Sequence, residues 1–241
     1  MRADVFLVEH GYAASRAEAQ AAIAAGTVMA DGRAVAKASQ ALTHAMAIAY
    51  APAHPYVSRA ALKLVAALDR FALSPRGLIC LDIGASTGGF TQVLLERGAR
   101  QVFAVDVGHG QLHEKLSRDP RVISLENTNA RELSPVVVGE APQAIVADVS
   151  FISLKLALPR ALRMAASGAW LVALVKPQFE VGPQRVGKGG IVRDEAAARA
   201  ALEAIAAFIP AQPGWTVLGH MDSPIAGGDG NREFLIAARK A

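Results

Sequence analysis

Apolar and polar positions divide the chain into two stretches with different rhythms. In the first, "ADVFLVEH" predicts a short helix stopped by Gly11, and "SRAEAQAAIAAG" predicts a second one stopped by Gly26. Ser15 and Glu18 stand three residues apart, the spacing at which a hydroxyl and a carboxylate cap a helix start reciprocally. "TVMADGRAV" then sets Asp31-Gly32 between two apolar pieces, a dipeptide that tolerates positive φ at both positions of a tight hairpin turn. Two short helices and a small hairpin make an α+β unit expected over residues 1–50. "AYAPAHPY", with two prolines and little periodicity, marks a linker at 51–57.

The second stretch starts with Ser58, which can cap the helix "RAALKLVAALDRF". At about 100° per residue, Ala61, Leu64, Val65, Leu68 and Phe71 share one face, and Arg59, Lys63 and Arg70 share the opposite, solvated one. From Leu78 onward, β-rich runs alternate with helical patterns: "LICLDIG", "QVFAVDVG", "RVISLEN", "QAIVADVS" and "AWLVALVKP", with "FTQVLLERG" and "SLKLALPRALRMA" between them. That alternation predicts an α/β, doubly wound Rossmann-like domain over 58–241, a parallel sheet with right-handed crossovers. At the end, "WTVLGHMDS" and "NREFLIAARK" flank the glycine-rich "PIAGGDG" and predict two neighbouring strands joined in hairpin fashion at the sheet edge.

Composition adds little to the fold and more to the partner. The chain has 241 residues, 52% of them hydrophobic and 5% aromatic, ample for a buried core. Its net charge is +4 and its pI about 9.5, which favours an anionic partner. The single cysteine, Cys80, lies inside an apolar run and reads as a buried small hydrophobe, so no internal disulfide forms. The N-terminus has no signal-peptide core and no run of about 18 uncharged apolar residues occurs, so a cytoplasmic protein without a membrane partner is expected.

In an open parallel sheet, ligands sit beyond the carboxyl ends of the strands, closest to the first strand-to-helix turn. Here that turn is "DIGASTGGF": Asp82, Gly84, Ser86, Thr87, Gly88, Gly89 and Phe90 are the candidate cofactor contacts. The spacing matches neither the dinucleotide fingerprint nor a phosphate-binding P-loop. A carboxylate at Asp82 repels a pyrophosphate and suits a ligand carrying an ammonium group, as S-adenosylmethionine does. Asp106, ending the second strand, can accept hydrogen bonds from both ribose hydroxyls, and Asn127 or Asn129 after the third can line an adenine pocket.

Asp148 ends the fourth strand and Lys176 the fifth, so both point toward the place of a cofactor's reactive group. With Glu233 at the start of the last strand and Lys63 on the leading helix, they form a candidate catalytic tetrad. Methyl transfer to a ribose 2′-hydroxyl needs an aligned oxygen nucleophile and a proton acceptor. Lys176 in its neutral form is assigned as the base, with Lys63 holding the hydroxyl and the carboxylates orienting the two lysines. His109, His113 and His220 lack ligand-like spacing, and no metal is expected.

The stretches "YVSRAALKL", "LDIGASTGGF", "AVDVGHGQL", "ADVSFISL", "LVKPQFE", "GKGGIVRD" and "SPIAGGDGNREFL" together resemble the TlyA-type, hemolysin-named ribosomal RNA 2′-O-methyltransferases, related in their catalytic domain to the FtsJ/RrmJ-type enzymes. The resemblance implies a methyltransferase using S-adenosylmethionine, and its Lys, Asp, Lys, Glu tetrad falls on Lys63, Asp148, Lys176 and Glu233. Residues 1–50 resemble the RNA-binding module of the S-four ribosomal protein type, but Ala3 replaces the usual leucine. Arg2, Arg16, Arg33 and Lys37 are also balanced by Asp4, Glu9, Glu18 and Asp31. Arg16, Arg33 and Lys37 there, and Arg59, Arg185 and Lys188 beyond, are the candidate RNA contacts. The short ends, "MRADVF" and "AARKA", favour the family's shorter form, which implies a cytidine of large-subunit 23S ribosomal RNA as the target.

Three rivals make different demands. A nicotinamide-dependent reductase tolerates Asp106 but not the Asp82 loop, and cofactor titration separates it. A ribosome assembly factor that binds S-adenosylmethionine without turnover has no use for the tetrad. A hemolysin needs a membrane-active segment, which the sequence lacks.

Overall fold

The computed structural model describes residues 1–227 and 230–241; Gly228 and Asp229, within the predicted glycine-rich connection, lie outside the described residues. The chain forms two compact units, Met1–Pro55 and Tyr56–Ala241.

In the first unit, α1 (Ala3–Glu9) and α2 (Arg16–Ala24) precede β1 (Val28–Ala30) and β2 (Arg33–Ala34). Ser15 Oγ accepts the Glu18 N–H at 3.2 Å, while the Glu18 carboxylate reaches one residue further back and takes the Ala14 N–H at 3.0 Å. Asp31 and Gly32 have φ of 49° and 74°, the left-handed pair a tight hairpin requires. The pattern missed a third strand, β3 (Ile48–Tyr50), which pairs antiparallel with the other side of β1. Phe6, Leu7, Ile23, Val28 and Leu42 form this unit's own core.

The second unit runs α3 (Ala60–Arg70), β4 (Ile79–Ile83), α4 (Gly89–Glu96), β5 (Gln101–Val105), α5 (Glu114–Ser117), β6 (Val122–Leu125), α6 (Pro135–Val138) and β7 (Ala144–Ala147). It continues with α7 (Leu154–Ala157), α8 (Pro159–Met164), β8 (Trp170–Val175), α9 (Glu195–Phe208), β9 (Trp215–Asp222) and β10 (Phe234–Lys240). The strands form one sheet in the order β6-β5-β4-β7-β8-β10-β9, with β4 to β8 parallel. The expected doubly wound α/β domain is therefore present. The expected pair of neighbouring strands lies at one edge of the sheet, with β9 outermost and β10 antiparallel between β8 and β9.

Strand parity distributes the core. Ile79, Leu81 and Ile83 of β4 face a cluster with Leu158, Leu162, Leu202 and Ile205, whereas Cys80 faces Leu64, Leu68, Phe90 and Leu94 of α3 and α4. Two local expectations fail. "SLKLALPRALRMA" is two helices rather than one, because Pro159 has no N–H to continue the hydrogen-bond ladder and instead opens α8. Lys63 is only 5% exposed and lies on the buried side of α3, not with Arg59 and Arg70 in solvent. Its charge is compensated by a partner that helical periodicity does not reveal, Glu233.

Candidate active site

The turn after β4 is shaped by close backbone approach. Gly84, at φ +81°, passes so near β7 that a Cβ there would lie 2.4 Å from the Asp148 carbonyl oxygen. Gly88, at φ +95°, caps α4 in the left-handed region where a side chain is strained. Between this turn and the end of β8 lies a cavity of about 160 Å³, lined by Gly84, Ser86, Thr87, Gly89 and Phe90 and by Asp148, Ser150 and Lys176. Asp106 stands outside that lining but is tied to it: its Oδ2 accepts the Ser86 N–H at 2.8 Å and its Oδ1 the Gly108 N–H at 2.7 Å. Each oxygen keeps a lone pair for a further donor.

Other predicted contacts of this region are placed differently. Asp82 is fully buried, on the same side of β4 as Cys80, and its Oδ2 accepts the Thr91 hydroxyl at 2.6 Å beneath the first turn of α4. It supports the loop from below and is not on the cavity wall. Burial pushes its carboxyl up to about 7 against the opposing Thr91 bond, and the charges of Asp148 and Asp106 add to the rise. Asn129 Oδ1 is engaged as a cap, accepting the Arg131 N–H at 3.1 Å. Asn127, exposed at φ 52°, donates its own N–H to the Gly108 carbonyl at 3.1 Å. Neither asparagine lines the cavity, and neither does Gly88.

The four tetrad candidates come together as two ion pairs. Lys176 Nζ lies 2.6 Å from Asp148 Oδ1 and donates to Ser150 Oγ at 3.0 Å, with both pair members slightly open to solvent at 13% and 15%. Lys63 Nζ meets Glu233 Oε2 at 2.5 Å, and both are essentially buried. A second cavity, about 330 Å³, is lined by Ser150, Phe151, Lys176, Gln178, Phe179, Val186, Gly190 and Glu233. Lys176 and Ser150 belong to both cavities and form the wall between them.

The second cavity holds what sequence reasoning missed. Phe151 is 92% exposed and has a left-handed backbone at φ 64°, costly for a bulky residue. Its ring stands 5.2 Å from that of Phe179, tilted by 52°. The Glu180 carboxylate fastens the two turns together, accepting the Ser153 hydroxyl at 2.6 Å and the Leu154 N–H at 2.8 Å; burial raises its pKa. No glycine or asparagine at position 151 signals the strained turn, so the pattern gives no warning of it.

Of the candidate RNA contacts, Arg33, Lys37, Arg59, Arg185 and Lys188 are exposed. Arg16 is half engaged: with Arg2 and Gln20 it surrounds the buried Asp4, which accepts from Arg16 at 2.8 Å and from Gln20 at 2.7 Å. The Arg2 guanidinium, then Arg16 and Gln20, hold the Asp4 carboxyl well below the usual range.

A sheet of this order, with a glycine-lined cavity at the end of its first strand and an acidic residue after its second, defines a Rossmann-like methyltransferase domain. A family model described as FtsJ-like methyltransferase matches residues 56–240, and one described as S4 domain matches residues 1–48. The chain belongs to the FtsJ-like methyltransferase family. It is 46% identical over 240 residues to the Mycobacterium tuberculosis protein named 16S/23S rRNA (cytidine-2′-O)-methyltransferase TlyA, covering 99% of this chain and 89% of the relative. To the Campylobacter jejuni protein named 23S rRNA (cytidine-2′-O)-methyltransferase TlyA it is 40% identical over 183 residues, 75% of this chain and 69% of the relative. A solved structure from Streptococcus thermophilus, provisionally named a hemolysin, is 41% identical with a TM-score of 0.78, covering 100% of this chain and 88% of that one. No described helix is long and apolar enough to cross a membrane.

Proposed function

We propose that the chain transfers the methyl group of S-adenosylmethionine to the ribose 2′-hydroxyl of a cytidine in ribosomal RNA, with large-subunit 23S RNA as the substrate and the cytoplasm as its place of action. The observation that carries this reading is the wall formed by Lys176 and Ser150 between a glycine-lined cavity and an aromatic one, with Asp148 2.6 Å from the Lys176 nitrogen. Large-subunit RNA is the substrate common to the names of the two TlyA relatives.

The residues present fit the cofactor. Two carboxylates, Asp106 and Asp148, stand just beyond the ends of β5 and β7, a charge pattern suited to a cationic nucleoside and poorly suited to a pyrophosphate, with Asp82 buried beneath them. Ser86, Thr87 and the glycines would hold its amino-acid end and Asp106 its ribose hydroxyls. Bound there, S-adenosylmethionine supplies an electrophilic methyl group on a sulfonium.

The chain's own groups then act on the RNA. Phe151 and Phe179 offer faces on which an unstacked base can rest, which sets the ribose against Lys176 and Glu233. Lys176, once its ammonium has released a proton to solvent, accepts the proton of the 2′-hydroxyl at Nζ, and Asp148 and Ser150, its partners in the resting ion pair, fix the direction of that nitrogen. Lys63 lines neither cavity and acts from behind, holding in place the Glu233 carboxylate that lines the second one. With the cofactor bound, transfer would leave the methyl group on the ribose oxygen and the displaced proton on Lys176. Residues 1–50 serve as an RNA-binding module and 58–241 as the catalytic domain. Labelled methyl transfer to unmodified small and large subunits, offered separately, tests the substrate: label in the large subunit is expected, and label confined to the small subunit would reject it.

A further inference from the structure

We propose that Asn231 is a positioning residue that fastens the basic loop 185–192 to the segment that carries Glu233 into β10, so that RNA contact and the wall of the reaction cavity share one support. The inference rests on the proposed function and extends it to how the substrate is held.

Asn231 is 1% exposed, and both ends of its amide are used across about forty residues of chain. Its Nδ2 donates to the Gly190 carbonyl at 2.9 Å, and its Oδ1 accepts the Val192 N–H at 2.9 Å. Only a primary amide offers a donor and an acceptor side by side on one planar head; aspartate keeps the acceptor and loses the donor. The loop needs such an anchor. It contains Gly187, Gly189 and Gly190, whose backbone freedom is costly to restrain. Its internal bonds, Gly187 N–H to Ile191 carbonyl at 3.0 Å and Gly190 N–H to Gly187 carbonyl at 3.1 Å, close a turn without attaching it to the sheet.

The placement gives the anchor its consequence. Gly190 and Val186 line the second cavity together with Glu233, two residues beyond Asn231. Arg185 and Lys188 project from the same loop into solvent. A phosphate gripped by those cations is therefore registered against the segment before β10 that presents Glu233, through one buried side chain.

The test compares the full-length parent with Asn231→Ala and Asn231→Asp in methyl transfer to large-subunit RNA, in equilibrium binding of RNA and of S-adenosylmethionine, and in amide exchange over 187–192. Asn231→Ala should raise KM for RNA roughly tenfold, the range expected when a buried hydrogen-bond pair is removed. Its cofactor affinity should stay within about twofold and any fall in kcat should be smaller than the rise in KM, with faster exchange at Val192. Lys188→Ala should cost less in that background than in the parent, since both act through one loop. Asn231→Asp should fall between the two and provides a readable variant if alanine impairs folding. Unchanged Val192 exchange, additive effects with Lys188→Ala, or equal losses of RNA and cofactor affinity in both variants would overturn the inference. A parent that transfers no methyl would sink the proposed function instead, and RNA binding together with exchange would still decide the role of Asn231.

Discussion

The two cavities that meet at Lys176 are built by different means. The first is made largely of backbone: Gly84 must lack a Cβ to pass the Asp148 carbonyl, and the Ser86 N–H anchors Asp106. The second is made of side chains from distant segments, Phe151 and Phe179 after two different strands, Val186 and Gly190 from the basic loop, and Glu233 before β10. A backbone cavity demands particular residues at consecutive positions. A side-chain cavity demands only that separate loops be held, which Glu180 and Asn231 do here.

If the cavities divide the work in this way, substitutions should separate along the same line. Lys176→Ala, on the shared wall, should lower kcat by ~10²–10⁴-fold with cofactor affinity nearly intact, as expected for a proton acceptor. Parallel loss of cofactor binding in titration would merge the two roles. Glu233→Ala strands the Lys63 ammonium in a buried site, and breaking such a pair costs about 3–5 kcal/mol of stability. Chemical denaturation should show that loss, with Lys63→Met in the same background recovering part of it.

Smaller effects should be one-sided. Asp106→Ala should weaken S-adenosylmethionine roughly 10–100-fold, the range for charged hydrogen bonds, and leave RNA affinity unchanged. Phe151→Ala should do the reverse, raising KM for RNA by the equivalent of about 1–3 kcal/mol while calorimetry finds the cofactor bound as before. The last effect concerns pH and is read in stability rather than in binding. Because the folded state raises the Asp82 carboxyl from 3.8 to about 7, its contribution to stability is fully present below about pH 4 and is lost as pH rises through 7. Melting curves should therefore show Asp82→Asn gaining on the parent between pH 5 and 8; a gap independent of pH would mean that Asp82 stays ionised.

The same division decides what was legible in the sequence. The parallel sheet followed from alternating runs, and the glycine loop stood out because its residues are consecutive. Lys63 was misplaced because its neighbours at helical spacing, Arg59 and Arg70, are solvated and its partner is 170 residues away. Asp82 was set against the ligand because it lies near a strand end, although the period of two that sends Cys80 toward α4 sends Asp82 the same way. Phe151, Ser150 and Asn231 lie inside two of the stretches that carry the family resemblance, but periodicity assigns them no role; their places depend on β7, β8 and β10 being neighbours, which only the assembled sheet shows.

The central claim is that the oxygen placed between Lys176 and the methyl donor is a ribose 2′-hydroxyl. Mass spectrometry of nucleosides released from large-subunit RNA after transfer tests it directly, with a parallel substrate carrying 2′-deoxycytidine at the modified position. The account predicts 2′-O-methylcytidine from the first and no methylated product from the second. Methyl on the base of cytidine, or equal transfer to the deoxy substrate, would contradict it.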